Sequence, residues 1–156
     1  IGSDNIDTGQ IWAGSRPQVH GDELWFYYTG YNHRYETQAP YRAGIHLAKL
    51  KRDRFASFDS DAEGGFVETR AIRFEGSRLF LNADASQGEV RVELIDERGR
   101  KVLLGWSREE VVPVRGDQLR AEVSWKRQQD LGSFKGKSIR FRFHLYNARL
   151  FSFWVE

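Results

Sequence analysis

The stretch Ser138-Ile139-Arg140-Phe141-Arg142-Phe143-His144-Leu145-Tyr146 decides the fold class. Ile139, Phe141, Phe143 and Leu145 alternate with Arg140, Arg142, His144 and Tyr146, so one side of an extended chain is apolar and the other polar. A period of two is the signature of a half-buried antiparallel strand with one wet face. Leu119, Ala121, Val123 and Trp125 repeat the pattern against Arg120, Glu122, Ser124 and Lys126. Val90, Val92 and Leu94 do so against Glu89, Arg91 and Glu93.

Further strands are expected at about 66–74, 78–84 and 149–155. In the last, Phe151, Phe153 and Val155 lie on one face and Leu150 and Trp154 on the other, as in a strand covered on both sides. Turn chemistry separates the runs at Asp61 to Gly65, Glu75-Gly76-Ser77, Glu97-Arg98-Gly99, Arg115-Gly116-Asp117 and Gly132 to Gly136. No stretch of helical length carries an apolar stripe. The reading is an all-β chain whose residues 57–156 form an antiparallel, jelly-roll-like β-sandwich.

Residues 1–56 read differently. Strands are expected near Arg16 to Val19, at the aromatic run Leu24 to Thr29, and from Ala43 to Lys51. Three strands in fifty residues cannot enclose their own core, so they must pack on the sandwich, on another chain or on further protein. Open strand edges predict a homodimer, or a strand added to the sandwich sheet.

Composition removes several functions. The chain has 156 residues, 24 basic and 22 acidic, for a formal net charge of +2. That balance gives no footprint for nucleic acid, and no apolar run reaches membrane-span length. Cysteine is absent, which excludes disulfides, thiolate metal sites and a cysteine nucleophile. Methionine is absent even at position 1, so a processing or cleavage boundary within something longer is expected. His20, His33, His46 and His144 lack metal-ligand spacing. No cofactor is expected, and calcium binding is not legible. Gly132 to Ser138 is one residue short of a phosphate-binding loop and precedes a strand rather than a helix. Arg115-Gly116-Asp117 fits an ordinary turn better than an adhesive motif.

Sugar recognition uses flat aromatic rings beside groups that hydrogen-bond hydroxyls. Trp125 and Trp154 read as packing residues, and Trp25 is ambiguous. Trp106 follows Gly105 outside any alternation and precedes Arg108, which makes it the best exposed candidate; the competing reading is a loop anchor over one end of the sandwich. Tyr31, His33 and Tyr35, in the polar loop after the aromatic strand, form the second candidate. The acidic residues read as solvated faces, with Glu89, Glu93 and Glu122 facing Arg91, Arg120, Arg140 or Arg142 in cross-strand pairs, and His144 as a surface histidine.

Gly14-Ser15-Arg16-Pro17-Gln18-Val19-His20-Gly21-Asp22-Glu23-Leu24-Trp25-Phe26-Tyr27-Tyr28-Thr29-Gly30 resembles the closing blade of a five-bladed propeller of the glycoside hydrolase family 32 and 43 type. Gly44-Ile45-His46-Leu47-Ala48 and Arg52 to Ser57 resemble the passage from that propeller into a following module. Leu79 to Asp84, Val90 to Leu94, Val123-Ser124-Trp125, Arg140 to Phe143 and Asn147 to Trp154 resemble its C-terminal β-sandwich. The resemblance implies a propeller remnant over 1–56, and in an intact parent Arg16 would face the central sugar pocket.

It also implies a non-catalytic accessory module that binds carbohydrate, partnered by the parent's propeller catalytic domain, in an extracellular or periplasmic setting. The family's catalytic carboxylates lie on earlier blades and match no residue here, so this chain is not expected to be an enzyme. The alternative is a purely structural module that stabilises the propeller. A stand-alone glycosidase ranks third.

Overall fold

The computed structural model describes residues 6–34, 40, 42–127 and 130–156. Two compact units make up the chain, Ile1–Arg52 and Asp53–Glu156. Both are antiparallel β structure, and the described residues contain no α-helix, only a 3-10 turn at Gly132–Phe134. The protein is all-β.

In the first unit, β3 (Glu23–Tyr31) is the central strand and β4 (Ala43–Lys51) pairs along its full length. On the other side β1 (Gln10–Ala13) and β2 (Gln18–His20) lie end to end against β3, separated by the segment holding Pro17. The sheet is therefore three strands wide. β1 was not expected; four residues are too few for alternation to announce a strand. Gly21 turns β2 into β3 at a φ of +59°, a conformation that favours glycine.

The second unit is a seven-stranded sheet built on one long strand. β5 (Phe58–Ser60), β6 (Gly65–Glu68) and β7 (Ile72–Arg73) are short edge pieces. β8 (Leu79–Ile95) fuses the two strands expected at 78–84 and 89–94, while the strand expected at 66–74 splits into β6 and β7. β9 (Val114–Val123), β10 (Ser138–Tyr146) and β11 (Ala148–Val155) complete it.

β10 and β11 follow one path along β8, with Tyr146 opposite Glu89 and Arg149 opposite Asp84. Asn147, at a φ of +42°, breaks that path where β8 shifts register against its neighbours. A Cβ at Gly88 would collide with the carbonyl oxygen of Tyr146, so glycine is required for the backbones to meet at this bend.

Bending lets one sheet cover itself. Leu79, Leu81, Val90, Val92 and Leu94 of β8 share a single core with Val123 of β9 and with Phe141, Phe143 and Leu145 of β10. Phe141 and Phe143 are 0% and 1% exposed, each worth about 1.5–3 kcal/mol of burial. The sheet is sandwich-like and curls toward a barrel. The first unit contrasts with it: among its described residues Leu24, at 8% exposure, is the only buried hydrophobic.

Two expectations are corrected. Arg115-Gly116-Asp117 is not a turn but a kink inside β9, with Gly116 at a φ of +80°. Both flanking charges are tied down, Arg115 to Glu89 and Asp117 to Arg54. His144 is 7% exposed rather than a surface histidine, because Phe66, Arg142 and Glu93 crowd the polar face of β10 around it. The compact units divide between Arg52 and Asp53, a few residues before the expected boundary at residue 56. Arg54 explains the difference: its guanidinium is held by Asn82, Ala83, Asp117 and Gln118 and lies 4.4 Å over Phe151.

Candidate functional site

The candidate residues do not assemble into one site. Trp106 is 4% exposed, so the expectation of a free ring is overturned and the loop-anchor reading describes it. Its ring packs edge-on against Trp125 at 4.8 Å and Phe134 at 5.1 Å, and its backbone pairs with β8 through Leu94. Burial is the physical reason: a large ring beside a sheet edge gains more from the core than from water. Arg108, two residues on, is exposed and donates to Glu109 at 2.9 Å. Tyr31 and His33 are half-buried and belong to the first unit. Tyr35 lies outside the described residues.

What the bend of the second unit does create is a polar concavity of about 640 Å³. Asp84 comes from β8, Gln87 from its irregular centre, Asn147 and Arg149 from the β10–β11 junction, and Asp59 and Asp61 from β5 and the turn after it. Asp84 accepts the Ser86 hydroxyl at 2.7 Å and the Ser86 amide at 3.1 Å. Those bonds hold its carboxyl below the usual range and keep it ionised. Asp61 accepts the Glu63 amide at 3.0 Å, and Arg149 stands 3.5 Å from Asp59. The lining can donate to and accept from hydroxyl groups but offers no flat ring. Among the described residues no cluster of three or more His, Asp or Glu side chains could hold a metal ion.

A second polar cluster covers the outer face of β10. Arg142 bridges Glu68 and Glu93, each at 2.8 Å, and Arg140 reaches Glu68 at 3.2 Å. His144 Nε2 lies 3.1 Å from Glu93 but off the axis of a hydrogen bond. Glu89 accepts from Arg91 and Arg115, which lowers its carboxyl. Glu93–Arg142 is a cross-strand pair of the kind expected; Glu89 pairs with Arg91 within β8 and with Arg115 of β9, and Glu122 stands 3.9 Å from Arg78, neither Arg115 nor Arg78 being a partner expected from the sequence. Among the described residues the carboxyls of Glu23, Asp84, Glu89, Asp96, Glu109 and Glu156 lie below their usual range, each because it accepts hydrogen bonds.

The sequence reading passed over one ring. Trp12, on β1, is 61% exposed, and the register places it beside Thr29 and Ile45 across three strands. Ile45 is 82% exposed; Tyr27 and Leu47 form the next rung of the same face. Trp25 follows, stacked on His20 at 4.2 Å, covered by Lys49 at 4.4 Å and donating to Glu23 at 2.8 Å. Exposed rings and branched chains on adjacent rungs form an apolar patch of the kind that marks an interaction surface. Comparison of the chain with protein-family models, with curated proteins and with solved structures found no match.

Proposed function

We propose that the chain is a non-catalytic packing module of a larger carbohydrate-active protein, of the glycoside hydrolase family 32 and 43 type that its sequence resembles. One observation carries this reading: the rungs Trp12–Thr29–Ile45 and Tyr27–Leu47 present an apolar sheet face to water. Such a face is stable and soluble when a second sheet lies on it, as one propeller blade lies on the next. The curled second unit, whose Trp106 and Trp125 are internal, would serve as a rigid buttress in an extracellular or periplasmic parent.

Carbohydrate binding is the second reading, and the polar concavity around Asp84, Asn147 and Arg149 favours it. A shallow polar site without a stacking ring would bind weakly. Two measurements separate the readings. Acrylamide quenching of wild type and Trp12→Phe isolates the Trp12 signal. Packing requires that signal to be quenched in the isolated chain and shielded in the parent product. A glycan panel run on wild type and Asp84→Ala should be blank for both under the packing reading. Binding by wild type that is lost in Asp84→Ala would replace packing with sugar recognition.

A further inference from the structure

Charge is distributed unequally over the second unit. On its sheet faces the arginines are matched with carboxylates, Arg115 with Glu89, Arg120 with Glu156, and Arg142 with Glu68 and Glu93. The end where β8 finishes and β10 begins is different. Arg98, Arg100 and Lys101 lie in the turn that leaves β8, Lys135 and Lys137 lead into β10, and Arg73 is opposite Ser138 at its start. All six are exposed, and among the described residues none stands within ion-pair distance of a carboxylate. The acids beside them are partly committed to the backbone. Asp96 accepts the amides of Arg100 and Lys101 at 2.6 and 3.1 Å, and Asp130 accepts that of Gly132 at 2.9 Å. With Glu75 and Glu97 counted as well, cations still outnumber carboxylates at this end.

The same turn carries the most exposed large hydrophobic side chain among the described residues. Leu104 is 99% exposed and Val102 42%. They flank Leu103, which packs against the core, so both point away from it. The backbone beneath them is anchored: the Leu103 amide donates to Leu94 of β8, the Leu94 amide donates to Trp106, and the buried Trp106 ring touches Phe134 at 5.1 Å. Lys137 lies 6.0 Å over Phe134, which sets the lysines beside the turn. Leu104 is therefore held out in water by the fold, among unpaired cations.

We infer that this end of the second unit docks on an anionic lipid bilayer, with Leu104 entering the interface and the cations facing the headgroups. Each half of the pattern alone would suit another partner. A soluble polyanion, such as an acidic polysaccharide, needs the cations but gains nothing from Leu104. An apolar protein surface takes Leu104 and Val102 but must desolvate the unpaired charges around them. A bilayer satisfies both together, because acyl carbon lies directly beneath a layer of negative charge. A side chain 99% exposed also stands on a protrusion, which suits a fluid surface and not a shaped pocket. Each cation near such a surface strengthens partitioning by about five-fold, so a few of them with one leucine give reversible attachment.

This docking site lies in the second unit and is independent of the packing proposed for the first sheet. Its test is co-sedimentation of the whole chain with vesicles of phosphatidylcholine alone and of phosphatidylcholine with about 30% phosphatidylglycerol, at about 0.1 M salt. Binding is expected to the anionic vesicles only, with release at about 0.5 M salt. Leu104→Ser should weaken it at least about five-fold, and Arg100→Glu combined with Lys101→Glu at least about thirty-fold. All three side chains are exposed, so the fold stays intact, which circular dichroism checks. Binding to anionic vesicles that is unchanged by Leu104→Ser would make this end a site for soluble polyanions and overturn lipid docking. Equal binding to both kinds of vesicle, or to neither, would overturn it as well.

Discussion

The two sheets contain the same kinds of residue and spend them differently. In the second unit β8 is long enough to bend, and β10 and β11 follow it round, so a single sheet supplies both walls of its core. In the first unit three strands lie side by side without bending over, and Trp12, Tyr27, Ile45 and Leu47 stay at the surface. Strand number and length decide whether aromatic residues act as core or as contact surface.

The same substitution in each region tests that difference most strongly. Trp106→Ala should cost about 3–5 kcal/mol, because it empties the space between Trp125 and Phe134. Trp12→Ala should change the stability of the isolated chain by no more than about 0.5 kcal/mol. Urea unfolding of both variants measures the contrast, and equal losses would mean that the first sheet hides its tryptophan.

Arg54→Met comes between them. It leaves Asn82, 2% exposed, and Asp117 without their guanidinium, at a cost of about 1–3 kcal/mol. Faster proteolysis within residues 53–57, at an unchanged cutting rate elsewhere, would sharpen the division between the units.

The smallest effect is at the end of β11. Glu156 accepts from Arg120 at 2.6 and 2.7 Å and from Trp154 at 2.8 Å, with its carboxyl lowered from 4.5 to about 2. A lowered folded-state value means the contribution is complete above 4.5 and is lost as pH falls through about 2. Glu156→Gln should therefore melt slightly below wild type near neutrality, with the two curves merging toward pH 2. A gap that widened on acidification would contradict the pairing.

Much of the architecture was legible because alternation is a local property. Phe141, Phe143 and Leu145 face one way wherever their strand lies, and Trp125 reads as core from its neighbours alone. β1 was hidden by its four residues, and the continuity of β8 by Ser86-Gln87-Gly88, which resembles a turn until Gly88 meets Tyr146 across the ribbon. The polar concavity was equally out of reach, since Asp59, Asp84 and Arg149 come together only through pairing.

The order of residues by itself determined the all-β class and the apolar and polar side of most strands, because both follow from side-chain period and turn chemistry. Tertiary structure alone decided that Trp106 and His144 are buried and Trp12 is exposed. Burial depends on what crosses over a face, and those crossings join residues tens of positions apart.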